Sequence, residues 1–174
     1  MENLILIGFM GTGKSAVGRV LAQKLKREFV DMDEIIEARE GLTVKEIFVQ
    51  KGEPYFRELE SQLVAELEDR EDLVIAAGGG VVLNLENVCA LQNNGILIRL
   101  MAAPPTIVQR VQADSKPRPL LEQKGHLLLC VQVLTKMREG FYIGAANYTV
   151  KTDDKTVEEV AEYILNAIWP EIAG

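Results

Sequence analysis

Residues 4–18, Leu-Ile-Leu-Ile-Gly-Phe-Met-Gly-Thr-Gly-Lys-Ser-Ala-Val-Gly, leave little choice of local structure. An apolar run from Leu4 to Ile7 meets a glycine-rich turn, and behind it Val17, Val20, Leu21 and Leu25 recur at helical offsets. The order is strand, turn, helix. Gly8 and Gly13-Lys14-Ser15 fit the spacing G-x-x-x-x-G-K-[ST], in which glycines let backbone N–H groups converge on phosphate oxygens without Cβ atoms in the way. Gly11, Thr12, Gly13, Lys14, Ser15 and Ala16 are therefore the candidate nucleotide-binding residues. Lys14 would reach the β- and γ-phosphates, Ser15 would place its hydroxyl on magnesium, and the positive end of the helix would add to the anion site. ATP or GTP is the expected occupant. The competing reading is a plain glycine turn between strand and helix.

With 174 residues the chain is expected to form one domain, 1–174, able to bury roughly 70% of the surface its unfolded form exposes. Nineteen basic and 26 acidic residues give a net charge of -7, which argues against nucleic acid or an anionic membrane as a general partner. Anionic ligands must be held by local basic groups. The apolar run Leu4–Met10 is too short for a signal segment and already belongs to the phosphate-loop strand, so a cytoplasmic location is expected. Cys89 and Cys130 show no metal or redox spacing and are expected to be buried free thiols. No apolar stripe is evident beyond what the core needs, and a monomer is expected.

Along the chain, Glu28–Asp33 reads as a short strand ending in Asp31 and Asp33, two residues apart and so on one face; Asp33 could equally cap the next helix. Helical patterns follow over 33–40, 43–51 with Thr43 and Glu46 as a capping box, and 54–69 with Phe56, Leu59, Leu63, Val64 and Leu67 on one face. Leu73–Ala77 suits a parallel strand covered on both sides and runs into Gly78-Gly79-Gly80. A helix over 85–94, a strand over 95–100, a helix over 104–113, a polar loop of lid type over 114–125 with two prolines, and a helix over 126–146 come next. A last strand, 148–151, precedes a helix through Ile168 capped by Thr156 and Glu159. This alternation implies an α/β fold with ligands beyond the carboxyl ends of a parallel sheet.

The motifs Gly8–Ser15, Asp31-Met-Asp33, Phe48-x3-Gly52-Glu53-x2-Phe56-Arg57-x2-Glu60, Gly78-Gly79-Gly80, Arg118-Pro-Leu-Leu121 and Arg138-x3-Tyr142-x3-Ala146 occur in this order. Together they make almost the whole chain resemble the shikimate kinase family, enzymes that phosphorylate a ring hydroxyl of shikimate with ATP in aromatic amino-acid biosynthesis. The resemblance implies a three-layer αβα fold of P-loop kinase type, with a five-stranded parallel sheet in the order 2-3-1-4-5 and a mobile lid. Substrate-binding helices would lie over residues 33–69. It further implies that shikimate is held by Asp33, Arg57 and Arg138; Gly78, Gly79 and Gly80 would bring backbone N–H groups to it, with a flexible turn as the alternative, and Phe48 and Phe56 would form an apolar wall beside it, with ordinary core packing as the alternative. It makes Lys14, Asp31 and Arg118 catalytic, with Arg118 closing over ATP, and it stacks Arg110 on adenine. Mg2+ would be held by Ser15 and by Asp31, the latter through water.

Chemistry read from the residues agrees. Shikimate bears one carboxylate and three hydroxyls, and the planar fork of arginine matches a carboxylate, so Arg57 and Arg138 are the candidates; solvated surface arginines are the alternative. Glu60, three residues after Arg57, either orients it or forms an ordinary surface ion pair. Asp31 either takes a proton from the attacking hydroxyl or holds magnesium through water; phosphoryl transfer depends mainly on positioning and charge neutralisation. No Walker-B aspartate ends the Leu73–Ala77 strand, and the resemblance gives its role to the Asp31 end of the second strand. Lys116 is read as a solubilising loop residue, His126 as a surface or hinge residue, and Trp169 and the methionines as packing. The 152–156 segment, Thr-Asp-Asp-Lys-Thr, departs from the family's adenine-contacting loop. Two other readings stand beside this one: a gluconate or nucleoside-monophosphate kinase of the same fold, and a catalytically silent nucleotide binder.

Overall fold

The computed structural model describes residues 2–114 and 126–173. Five parallel strands form one sheet: β1 (Asn3–Ile7), β2 (Glu28–Asp31), β3 (Leu73–Ala76), β4 (Gly95–Met101) and β5 (Tyr148–Lys151), in the order β2-β3-β1-β4-β5. β1 is central because both its faces are apolar. Leu4 pairs in register with Val74 on one side and Ile96 on the other. Its alternate residues serve two cores: Leu4 and Leu6 pack with Val17, Leu21, Val160 and Ile164, whereas Ile5 and Ile7 pack with Leu63, Leu67, Leu91 and Val131. The sheet is thus the middle of three layers, as a parallel sheet with near-continuous apolar strands requires.

One face carries α1 (Lys14–Leu25) and α8 (Val157–Tyr163); the other carries α4 (Glu53–Leu67), α5 (Leu85–Asn94), α6 (Pro104–Ala113) and α7 (Leu127–Ala145). Short α2 (Met32–Glu40) and α3 (Val44–Lys51) lie between β2 and α4, and α9 (Trp169–Ala173) ends the described chain. Both expected capping boxes form, with Thr43 and Thr156 each accepting from the backbone N–H three residues on. Among the described residues no helix is long and apolar enough to cross a membrane.

The amino-terminal end of the sheet is fastened by Asn3, the first residue of β1, which is 1% exposed. Its amide donates to the Arg70 carbonyl (2.6 Å) and to Asn94 Oδ1 (2.8 Å), and its oxygen accepts from Leu73 N–H (2.8 Å), so one side chain joins β1 to the starts of β3 and β4. Asn3→Ala strands those groups in a buried place and is expected to cost about 1–3 kcal/mol of stability, read as a lowered urea midpoint at unchanged slope.

Several expectations need correction. β2 ends at Asp31, and Asp33 stands in the first turn of α2, so the two carboxylates do not share a strand face. Asp31, not Asp33, is the cap. The last helix is broken by a π turn over Ile164–Ile168 before α9 resumes. A 3-10 turn, Val81–Leu83, follows the glycine triplet. Cys89 is exposed and Cys130 half-buried, because Val88 and Leu91 are the residues that α5 turns inward, and Val131 takes the core position on α7. Of the methionines, Met137 is exposed while Met32 packs in the core; Trp169 packs against the core as expected, with the Arg27 guanidinium 4.6 Å from its ring centre. An apolar stripe is left over: Leu129, Val133, Met137 and Phe141, four residues apart, face outward along α7.

Candidate active site

Where β1 ends, the chain passes between its two neighbours, and there a cavity of about 420 Å3 opens beyond the strand ends. This is the switch point at which open α/β sheets bind ligands. Gly11, Gly13, Lys14, Ser15 and Ala16 line it at one end; Asp33, Phe48, Phe56, Arg57, Gly79, Gly80 and Arg138 line it at the other, with Asp31 between and Arg110 at the nucleotide end. Residues expected on separate grounds for phosphate and for a small acid thus share one space. Met10, Glu37, Val44 and Val111 also line it without having been expected there, as does Thr43, expected only as a helix cap.

The phosphate loop turns through positive φ at Gly8, Gly11 and Gly13, and at Gly8 a side chain would also overlap the Leu100 carbonyl. Thr12 does not line the cavity; it is buried, and its hydroxyl donates to the Phe9 carbonyl at 2.7 Å, holding the loop from behind. Lys14 Nζ folds onto the Gly8 and Phe9 carbonyls at 2.8 and 3.1 Å.

Ser15 stands in the first turn of α1, and its hydroxyl donates to Asp31 Oδ2 at 2.5 Å. The other oxygen of Asp31 accepts from Asp33 and Glu34 N–H, at 3.1 and 3.3 Å. One carboxylate therefore caps α2 and meets the hydroxyl of the phosphate-loop helix. Two hard oxygens side by side suit a magnesium ion whose remaining sites are water and phosphate.

Arg57 and Arg138 come from α4 and α7 and meet at the substrate end. Arg57 donates Nε and Nη2 to Glu53 Oε1 at 3.2 and 2.8 Å and Nη1 to Glu60 Oε2. Its guanidinium lies 5.5 Å from the Phe56 ring centre, and Phe56 tilts against Phe48 with centres 5.2 Å apart. Phe56 belongs to the core as well as the wall, being 3% exposed. Arg138 is buried, lies over the Phe9 ring and donates to the Gly79 carbonyl at 3.4 Å. The surface alternative for both arginines is thereby set aside.

Glu60 is no surface partner either: it is 1% exposed, and its Oε1 accepts no hydrogen bond. Burial pushes its carboxyl up to about 7, against the pull of Arg57, with Asp33 adding to the rise. Gly78 lies behind the cavity wall, where any Cβ would overlap Glu60 Oε1; at Gly80 a Cβ would overlap the Arg57 guanidinium. The triplet is bare so that carboxyl and guanidinium groups can close on its backbone. Tyr142, one turn past Arg138, donates its hydroxyl to the Gly79 carbonyl at 2.5 Å and fixes the triplet. Burial raises the Tyr142 phenol to about 12, so it remains a donor.

Arg110 bonds the Thr152 side chain and carbonyl at 2.8 and 2.7 Å, and Asp153 accepts from Ala103 N–H and the Thr106 hydroxyl at 2.9 and 2.7 Å. The 152–156 segment is thereby tied to α6 beside the nucleotide end. Lys116, Arg118 and nearly all of the expected lid lie outside the described residues. Exposed His126 precedes α7, and no metal-ligand cluster of three His, Cys, Asp or Glu occurs among the described residues.

Comparison with known proteins places this geometry. The family described as Shikimate kinase matches residues 10–169. A shikimate kinase of Pelotomaculum thermopropionicum is 48% identical over 166 residues, covering 95% of both chains. Among solved structures, a shikimate kinase from Acinetobacter baumannii in complex with shikimate superposes with a TM-score of 0.92 at 37% identity, covering 98% of this chain and 94% of that one. One from Aquifex aeolicus gives 0.81 at 36% identity, covering 97% of each. A gluconokinase from Sinorhizobium meliloti shares the fold at 0.61 but only 14% identity, over 99% of this chain and 94% of that one. Six ordered motifs, five of them converging on one cavity, and a match over almost the full length make this chain a member of the shikimate kinase family.

Proposed function

We propose that the protein transfers the γ-phosphoryl group of ATP to the 3-hydroxyl of shikimate, giving shikimate 3-phosphate and ADP. The observation that carries the reading is the pair Arg57 and Arg138, brought from two helices into the same cavity as the phosphate loop and Asp33. Two forks facing one space suit a carboxylate on a small ring. Asp33 accepts from ring hydroxyls and turns one toward the nucleotide.

Lys14 would leave the Gly8 and Phe9 carbonyls for the β- and γ-phosphates, and the backbone N–H groups of the loop would hold the others. Ser15 and Asp31 would hold Mg2+, which when bound neutralises phosphate charge. Asp31, already tied to Ser15, keeps its second role as a proton acceptor open. Arg118 would balance charge on the migrating group, and Arg110 with the tied 152–156 segment would border the adenine. Most of these roles are positioning, which suits a transition state needing alignment more than a strong base.

ADP release from MgATP is the direct test, with shikimate, quinate, gluconate and AMP compared and Asp33→Ala as control. Turnover with shikimate alone, lost in Asp33→Ala, is the expected result. Nucleotide binding without turnover on shikimate would set the reading aside in favour of another small-molecule kinase or a silent binder.

A further inference from the structure

We propose that Glu60 takes up a proton on Oε1 when the acid substrate docks, so that substrate and proton bind as a pair. The inference rests on the substrate reading above and concerns a group to which that reading gives no role.

Charge is the first ground. Among the described residues, the groups set against Glu60 are Arg57 and, behind it, Glu53 on its own helix, Asp33 from α2, Arg138 from α7, and the backbone of Gly78. With Glu60 ionised, these groups set two guanidinium charges against three carboxylates, Glu53, Glu60 and Asp33, one negative charge in excess before any acid enters. A substrate carboxylate makes the excess two, in a place where Glu60 is almost wholly removed from water. Low dielectric makes that costly, and protonating one carboxyl restores the resting balance.

Geometry selects which carboxyl. The fork of Arg57 is already engaged, with Nε and Nη2 on Glu53 and Nη1 on Glu60. Arg57 can give its full attraction to an incoming carboxylate only as one of these is released or neutralised. Glu53 is 41% exposed in its side chain and can be screened by water; Glu60, at 1%, cannot. The second oxygen of Glu60 accepts nothing, and it points at the spot over Gly78 that also lies 3.1 Å from Asp33 Oδ1. A proton there converts an orphaned acceptor into a donor facing a carboxylate and the ring hydroxyls that Asp33 receives. Its carboxyl is already held near neutrality by burial, so the uptake needs only a modest further rise.

The sign follows from linkage. A group whose proton is held more tightly in the complex favours binding at low pH and weakens it as pH climbs past its value in the free protein. Shikimate affinity is therefore expected to fall as pH rises from about 6.5 to 8.5, by up to tenfold per unit.

Calorimetric titration of shikimate into the nucleotide-free protein at pH 7.5, in buffers of different ionisation heat, tests this. The apparent enthalpy should vary with buffer, showing uptake of a fraction of one proton. Glu60→Gln, isosteric and neutral, should bind with pH-independent affinity and no uptake; His126→Asn, removing the only histidine, should behave as wild type. A merely structural role for Glu60 would lower affinity in Glu60→Gln equally at every pH. The proposal is overturned if wild-type binding shows neither buffer dependence nor pH dependence, or if uptake survives in Glu60→Gln. Absence of shikimate binding altogether would instead remove the substrate reading.

Discussion

Lys14→Ala is expected to lower kcat for shikimate-dependent ADP formation by about a thousandfold, the scale seen when one preorganised charge-stabilising donor is lost from a reacting centre. The reasoning starts from what Lys14 touches. Its ammonium folds onto the Gly8 and Phe9 carbonyls, backbone acceptors of the loop itself, at 2.8 and 3.1 Å. An incoming phosphate offers stronger, charged acceptors, so the lysine exchanges partners as the nucleotide arrives. Because its contribution grows with charge on the migrating group, the loss should fall mainly on kcat. The melting temperature should change little, since the loop is also held by Thr12 and by the glycine geometry. Steady-state kinetics beside a thermal melt checks both. A fall in kcat smaller than tenfold would remove Lys14 from the chemical step.

Arg138→Met should act on the other substrate. The side chain is buried, stacks over Phe9 and touches the Gly79 carbonyl, so it is fixed where a ring carboxylate would dock. Removing one partner of a desolvated, hydrogen-bonded ion pair costs about 2–5 kcal/mol, or roughly thirtyfold to several thousandfold in the KM for shikimate. The nucleotide KM should stay within a few-fold, because the turn of the phosphate loop is set by its glycines and by the Thr12 bond to the Phe9 carbonyl, and of that loop Arg138 meets only the Phe9 ring. Arg138→Lys keeps the charge but loses the fork and should recover only part of the loss. A shikimate KM within threefold of wild type in Arg138→Met would mean that the carboxylate docks elsewhere.

What could be read from the sequence follows from how far each signal reaches. The phosphate loop and the boxes at Thr43–Glu46 and Thr156–Glu159 are each settled by residues within a few positions, and each is found as read. The sheet order came with the family resemblance, since periodicity specifies a parallel sheet but not which strands adjoin. Local pattern failed where two short-range roles compete. Asp31 and Asp33 can each cap a helix, and the choice went to Asp31 because the strand ends there and Ser15 draws its other oxygen inward. It failed again where burial decides. Glu60 and Cys89 sit on amphipathic helices, and only the way α4 and α5 rest on the sheet makes one hidden and the other exposed. Tyr142 was visible as a motif letter, but its bond to Gly79 spans 63 positions, a distance no window covers.

The sheet's polarity also has a bearing on how the molecule can be altered. Since every strand runs the same way, all the chemistry gathers at one pole, and Asn3 seals the other. The exposed 68–72 turn between α4 and β3 lies at that sealed pole. A dye, an affinity tag or a short inserted peptide there would ride on the rigid scaffold while leaving the catalytic mouth unobstructed, provided the Arg70 carbonyl keeps its place against Asn3. Parallel strands thus give this enzyme a handle as well as a working end.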